Sequence, residues 1–243
     1  LVPSAADQIT AAIRLAGGAI PFSEFMRLSL YSEYGFYSQA GRAGRRGDFI
    51  TSPEVGPLFG AVIARALDGW WRDLGEPKEF TVIDVGAGPG TLARGILAAE
   101  PECVNAMRYV AVEVSASQRA LHPKNIESRG TLPYHPFVGV VVANELLDNL
   151  PFELFVFDDG WKQAFVEVAA DGRFNEVLRS TTVPWYLPME AVHGARVPVQ
   201  IAASEWVERA IGLIDRGRLV VIDYCTATTV ELATRPWREW LRT

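Results

Sequence analysis

The segment FTVIDVGAGPGTL constrains the fold more than any other part of the chain. Its apolar run, Phe80–Val85, predicts a buried strand, which passes directly into Gly86, Gly88 and Gly90. Thr91–Ala99 then has the apolar spacing of a helix. Glycines let a backbone approach a ligand closely, and a helix N-terminus favours negative groups and ligand oxygens. The order strand, glycine turn, helix therefore predicts a nucleotide-type ligand site, with a tight structural turn as the alternative.

Strands and helices alternate through much of the chain, which predicts an α/β fold. The predicted buried strands are Phe80–Val85, Tyr109–Glu113, Val138–Ala143 and Leu219–Tyr224. The predicted helices between and around them are Pro57–Leu74, Thr91–Ala99, Ser115–His122 and Ala202–Asp215. This alternation favours a parallel, Rossmann-like sheet with right-handed crossovers and helices on both faces. No convincing strand lies between Glu113 and Val140, although a doubly wound fold requires one there.

Two segments depart from the alternating pattern. At the N-terminus, Ser4 and Asp7 indicate a helix start, a second helix is predicted over Phe22–Tyr31, and a long polar loop follows. After Pro151, three strands with DG turns predict antiparallel hairpins; these are Glu153–Phe157, Trp161–Val168 and Arg173–Leu178. We expect an N-terminal helical extension with a loop that covers the ligand over residues 1–75, and a Rossmann-like domain over 76–243 with the hairpins inserted at about 152–200.

Composition excludes several classes of function. Lys and Arg total 23 against 29 Asp and Glu, a net charge of −6, so nucleic acid is not an expected partner. Two distant cysteines and three scattered histidines predict no metal site. No apolar stretch approaches the roughly 20 residues of a membrane span, and the N-terminus does not resemble a signal peptide. We therefore expect a cytoplasmic protein without a membrane segment.

The spacing of the glycines bears on which nucleotide is bound. A dinucleotide fingerprint requires G-x-G-x-x-G, but position 91 is Thr. The spacing G-x-G-x-G with Asp84 ahead of it is similar to the loop of class I S-adenosylmethionine methyltransferases. Glu113 ends the second strand, where a carboxylate can accept hydrogen bonds from both ribose hydroxyls. Because the same geometry serves NAD, Glu113 does not discriminate between the cofactors, and it can also be a simple strand cap.

Polar residues also follow the third predicted strand. Asn144, Glu145 and Asp148 should lie beside the bound cofactor, because ligands of open parallel sheets bind at the carboxyl ends of strands. The alternative is that Asn144 caps a helix and Asp148 lies in its first turn.

Six motifs together resemble the MidA-like methyltransferase family. They are LYSEYGFYS, RRGDFITSPEVGPLFG, VIDVGAGPGTL, VEVS, VANELLDNLPF and VIDY, and they span most of residues 20–225. The resemblance implies an S-adenosylmethionine-dependent enzyme that methylates a protein arginine, cytoplasmic or, in a eukaryote, in the mitochondrial matrix. Its implied cofactor-binding residues are Gly47, Thr51, Ser52, Asp84, Gly86, Ala87, Gly88, Gly90, Thr91, Glu113, Val114, Asn144 and Glu145. A pair of carboxylates can bind a guanidinium through forked hydrogen bonds and accept its proton, so the candidate catalytic residues are Glu145 and Asp148, with Asp48 and Glu54 in support.

Three other functions compete with this hypothesis. One is an assembly or interaction factor that binds S-adenosylmethionine with little catalysis, and another is a methyltransferase acting on a small molecule. The third is a nicotinamide oxidoreductase, which Thr91 in place of a glycine disfavours. The expected partner is a protein substrate, and the oligomeric state stays open.

Overall fold

A computed structural model describes residues 4–38 and 56–239 of the 243-residue chain. The strands are β1 (Ala19–Pro21), β2 (Phe80–Val85), β3 (Met107–Val112), β4 (Glu127–Arg129), β5 (Phe137–Asn144), β6 (Glu153–Phe157), β7 (Trp161–Val168), β8 (Phe174–Arg179), β9 (Arg196–Val199) and β10 (Ile214–Ile222). The helices are α1 (Ala5–Leu15), α2 (Phe22–Tyr31), α3 (Pro57–Asp73), α4 (Thr91–Ala98), α5 (Ala116–Arg119), α6 (Ile201–Gly212) and α7 (Thr229–Ala233).

The chain divides into two units that each contain one sheet. The parallel-sheet unit comprises residues 36–149 and 205–223. The antiparallel-sheet unit comprises residues up to 35, residues 150–204 and residues from 224 onward. The predicted alternation of strands and helices thus belongs to the first unit, and the predicted hairpins belong to the second.

The parallel sheet has the strand order β10-β5-β2-β3-β4, and all its neighbouring strands run parallel. From β2 the chain first builds outward through β3 and β4, then returns to place β5 and β10 on the other side of β2. Such a reversal of strand order opens a crevice at the carboxyl ends of the strands, where ligands of doubly wound folds bind. The predicted Rossmann-like fold is confirmed, and the glycine turn after β2 lies at this reversal.

The expectation that no strand lies between Glu113 and Val140 was wrong. Strand β4 has only three residues and pairs parallel with β3, where Val110 faces Glu127 in the register. As an edge strand, β4 lacks the apolar pattern of a buried strand. Its Glu127 forms ion pairs with Arg108 and Arg129 at the surface instead of entering the core.

The core of the parallel-sheet unit forms where helices α3 and α4 pack against the sheet. Leu67 of α3, Ile96 of α4 and Val82 of β2 are completely buried. The two helices approach so closely at Gly60 and Gly95 that a Cβ on Gly60 would lie 2.6 Å from the backbone of Gly95. Glycine is required at this crossing for space, and the resulting contact fixes the helix that begins at the glycine turn.

In the antiparallel-sheet unit, strands follow the order β1-β7-β6-β9, and β8 also pairs with β7. The predicted hairpin strands are confirmed, and Asp159 and Gly160 adopt the positive φ angles, 51° and 118°, that such tight connections need. The capping box of Ser4 and Asp7 and helix α2 are also confirmed. Strands β1 and β9 were not predicted because each is only three or four residues long.

Several boundaries differ from the predictions. The helix expected over Ser115–His122 is confined to Ala116–Arg119. The strand expected to be buried over Leu219–Tyr224 runs over Ile214–Ile222, and its residues are half-buried or exposed because it forms the edge of the parallel sheet. In the described ranges 4–38 and 56–239, no helix combines the length and the apolarity needed to cross a membrane.

Candidate cofactor and acceptor site

The glycine turn after β2 is left-handed at all three of its glycines. The φ angles are 73° at Gly86, 52° at Gly88 and 81° at Gly90. A Cβ on Gly86 would lie 3.1 Å from Leu146, and one on Gly90 would lie 3.1 Å from Pro123. A Cβ on Gly88 would meet no described atom within 4 Å. The described residues therefore occupy the space at two of the glycines and leave the space beside Gly88 open.

Glu113 joins the end of β3 to this turn. One carboxylate oxygen, Oε2, accepts the Gly88 N–H at 3.0 Å, and Oε1 accepts the Ser115 N–H at 2.8 Å. The side chain is buried at 8% exposure. Because each carboxylate oxygen can accept two hydrogen bonds, these two contacts leave acceptor capacity for a ligand. Glu113 is thus a strand cap in part, and it is also placed to accept hydrogen bonds from a diol.

His122 holds the other side of Gly88, a role that no sequence pattern suggested. Its Nε2 lies 2.9 Å from the Gly88 carbonyl oxygen, and its Nδ1 lies 2.8 Å from Oγ of Ser128 on β4. Because a carbonyl oxygen only accepts, Nε2 carries the hydrogen. The sequence signal was absent because the strand that positions Ser128 was itself not predicted.

Asp84, predicted to contact the cofactor, lies in the core beneath the turn. Its carboxylate is 3% exposed and accepts the Tyr109 hydroxyl hydrogen at 2.9 Å. Burial, together with the negative charge of Glu113, raises the pKa of Asp84 to about 7, although the Tyr109 hydrogen bond opposes this shift.

At the end of β5, the side-chain oxygen of Asn144 is buried and has no hydrogen-bond partner within the described part of the chain. A short 3-10 turn, Leu147–Asn149, follows. The interpretation of Asn144 as a helix cap was wrong, because only the 3-10 turn follows it and its oxygen accepts no N–H from a described residue. An unsatisfied buried acceptor at the ligand edge of a sheet points instead to a ligand donor.

Glu145 and Asp223 stabilise the loop after β5. Glu145 has a φ of 50°, uncommon for a residue other than glycine, and its N–H donates to the Ile222 carbonyl of β10 at 2.8 Å. The Asp223 carboxylate accepts the Leu147 N–H at 2.8 Å. The ends of β5 and β10 therefore bring a third carboxylate, Asp223, to the predicted pair of Glu145 and Asp148.

A chain of hydrogen bonds orients Asp148. The Tyr37 hydroxyl donates to Asn149 Oδ1 at 2.7 Å, and Asn149 Nδ2 donates to Asp148 at 2.7 Å and to the Glu145 carbonyl at 3.0 Å. Partial desolvation and the charges of Asp223 and Glu145 raise the pKa of Asp148 to about 6. Burial raises the pKa of Tyr37 to about 12, with further contributions from Asp148 and Glu113.

The remaining predicted residues divide into three groups. Ala87 is buried in the core, whereas Thr91 is the first residue of α4. Val114 places an apolar side chain, 61% exposed, directly after Glu113. The other five predicted residues lie outside the described residues: Gly47, Asp48, Thr51, Ser52 and Glu54. Among the described residues, no three His, Cys, Asp or Glu side chains form a group suited to a metal ion.

Comparisons with known proteins agree with this geometry. Residues 62–236 match a family described as "Putative S-adenosyl-L-methionine-dependent methyltransferase". The Drosophila melanogaster protein arginine methyltransferase NDUFAF7 homolog, mitochondrial, is 27% identical over 91% of this chain and 60% of its own length. The Mus musculus protein arginine methyltransferase NDUFAF7, mitochondrial, is 26% identical over 78% of this chain and 52% of its own length. The chain thus spans between half and three fifths of these relatives.

A solved structure also matches. A Burkholderia thailandensis protein crystallised with S-adenosyl-homocysteine is 30% identical and superposes with a TM-score of 0.81, over 91% of this chain and 62% of that one. The site described above suits the family's cofactor, S-adenosylmethionine: the open side of Gly88 admits it, Glu113 can accept hydrogen bonds from its ribose, and the Asn144 oxygen can accept one more.

Proposed function

We propose that this chain, which belongs to the MidA-like family of S-adenosylmethionine-dependent methyltransferases, transfers a methyl group to an arginine side chain of a protein. The observation that carries the proposal is the group of three carboxylates at the ends of β5 and β10. Glu145, Asp148 and Asp223 lie close enough for the charges of Glu145 and Asp223 to raise the pKa of Asp148. Such a group favours a cationic acceptor over a neutral or anionic one, and the names of the curated relatives agree with arginine.

The cofactor side of the site holds and orients the methyl donor. When bound, S-adenosylmethionine supplies a methyl group activated by a sulfonium. The turn of Gly86, Gly88 and Gly90 would lie against it, Glu113 would accept its ribose hydroxyls, and Asn144 would accept a hydrogen bond from its polar end. Orientation of this kind can lower the barrier of an in-line transfer by several kcal/mol, since reacting atoms are held in a productive line.

On the acceptor side, carboxylates hold a guanidinium through paired hydrogen bonds. A guanidinium is permanently charged and therefore a poor nucleophile, so the enzyme must also accept a proton as the new bond forms. Asp148, with its pKa of about 6, is ionised at neutral pH yet basic enough for this role. Asn149 and Tyr37 fix its orientation, and Glu145 would bind the guanidinium beside it.

The test uses the protein with methyl-labelled S-adenosylmethionine and matched peptides containing either arginine or lysine, analysed by mass spectrometry. We expect label on arginine only. Glu145→Gln and Asp148→Asn should keep cofactor affinity but reduce transfer about 10²-fold, the scale of losing a proton acceptor or orienting contact. Asp215→Asn, on the exposed part of β10, is the control for a carboxylate-to-amide change. Cofactor binding without transfer to any peptide or protein lysate would favour a binding or assembly role instead.

The pH dependence gives a second check of the same proposal. Asp148 must be ionised to accept a proton, so the transfer rate should rise with pH through about 6 and then level off. Asp148→Asn should remove this limb from the rate profile. A profile unchanged by the substitution would exclude Asp148 as the proton acceptor.

A further inference from the structure

We infer that His122 is a positioning residue for the cofactor: it fixes the glycine turn in its binding conformation through the carbonyl group of Gly88. The inference depends on the cofactor of the family and is independent of which acceptor is methylated. His122 is outside every motif that carried the family resemblance, and it follows helix α5 in the chain.

Gly88 is held by hydrogen bonds at both of its peptide groups. Its N–H donates to Glu113 at 3.0 Å, and its carbonyl accepts from His122 Nε2 at 2.9 Å. The next residue is Pro89, which has no N–H to add a further backbone bond. Two side chains thus determine the orientation of the one glycine in the turn whose Cβ position is open.

The orientation of His122 is in turn set by the sheet. Its Nδ1 faces Ser128 Oγ at 2.8 Å, and Ser128 is the central residue of β4. The ring is buried, and its Cδ2 would lie 3.2 Å from a Cβ on Gly90. The histidine therefore also contacts the last glycine of the turn, directly before helix α4.

Loss of the His122 contact should affect ligand binding more than folding. The Gly88 N–H and carbonyl belong to successive peptide planes that meet at its Cα, so without His122 the carbonyl plane is no longer fixed. The backbone of Gly88 can then leave the φ and ψ angles that direct its N–H to Glu113, and the carboxylate that faces the ribose loses a contact that orients it. A residue with a purely packing role would instead change stability and leave the affinity of the folded protein intact.

Substituting His122 with glutamine or with asparagine distinguishes a hydrogen-bonding role from a packing role. The side-chain nitrogen of glutamine reaches the position of histidine Nε2, whereas that of asparagine reaches only Nδ1. The probe is S-adenosyl-homocysteine, titrated by calorimetry into each folded variant. We expect His122→Gln to bind within about threefold of the unchanged protein, and His122→Asn and His122→Leu to bind about tenfold more weakly, the scale of one hydrogen bond.

His135→Leu is the matched control, since His135 is an exposed histidine of the same unit. It should bind like the unchanged protein. Equal affinity of His122→Gln and His122→Asn would overturn the inference, and so would unfolding of both, because His122 would then be a packing residue. Since the titration needs no methyl acceptor, its failure is distinct from a failure to methylate arginine.

Discussion

Replacing Asp84 with asparagine should remove a specific dependence of stability on pH. Asp84 is buried, and its pKa is raised to about 7 from the ordinary 3.8, first by desolvation and then by the charge of Glu113. Asparagine has nearly the same shape and keeps an oxygen that can accept the Tyr109 hydroxyl hydrogen. The substitution therefore removes the titration while retaining the packing and the hydrogen bond.

The sign follows from the direction of the shift. A carboxyl group whose pKa is higher in the folded state binds more protons there, so its contribution to stability falls as pH rises from about 4 to about 7. One pKa unit corresponds to about 1.36 kcal/mol, and between pH 5 and pH 8 this linkage amounts to about 2.5 kcal/mol. The unfolding free energy of Asp84→Asn minus that of the unchanged protein should therefore increase by this amount as the pH rises from 5 to 8.

The measurement is urea denaturation of both proteins at pH 5, 6, 7 and 8, followed by tryptophan fluorescence. Only the difference between the two proteins is interpreted, because the remaining titrating groups are common to both. Asp215→Asn, an exposed substitution, is the control, and Glu113→Gln should reduce the effect because Glu113 contributes to the shift. A difference that is constant with pH, or that changes in the opposite direction, would refute the assignment of a raised pKa to Asp84.

Two further predictions concern the turn and the helix crossing beside it. Glu113→Gln should weaken S-adenosyl-homocysteine binding by roughly 1.5–3 kcal/mol, because the neutral amide offers the ribose one acceptor oxygen in place of the two charged oxygens of the carboxylate, and an unchanged calorimetric affinity would contradict this. Gly60→Ala should lower the unfolding free energy by about 1–3 kcal/mol, since its Cβ would lie 2.6 Å from Gly95. Gly69→Ala in the same helix has open space and should instead raise it by roughly 0.5–1 kcal/mol; equal effects of both substitutions on the urea midpoint would refute the close-approach argument.

Much of the fold could be predicted from local pattern. The strand, glycine turn and helix over Phe80–Ala98 follow from a continuous apolar run, three glycines and helical spacing, all within one segment. The same holds for the hairpins of the second unit, whose turns have Asp-Gly pairs. Strand β4 could not be found in this way, because a three-residue edge strand with two charged residues has neither the length nor the apolarity of a buried one.

The sequence predicted which residues form the candidate site, but it did not predict most of the side chains that hydrogen-bond to them. Glu113, Asn144 and Asp148 follow strands, and strand order alone places them at the ligand edge. Their partners lie far away in sequence: His122 contacts Gly88 across 34 positions, and Tyr37 contacts Asn149 across 112. Such contacts follow from tertiary packing, which a single sequence read by local periodicity does not contain.

The three glycines of the turn show how this packing connects the cofactor side to the acceptor side. Gly90 is constrained by His122 and Pro123, and Gly86 is constrained by Leu146, which lies between Glu145 and Asp148. A Cβ on Gly86 would lie 3.1 Å from Cδ1 of Leu146, so this side chain would have to shift by a few tenths of an ångström. A Cβ on Gly88 would meet no described atom within 4 Å. The left-handed φ angles favour glycine at all three positions, described neighbours restrict the space at Gly86 and Gly90, and the proposed cofactor would lie beside Gly88.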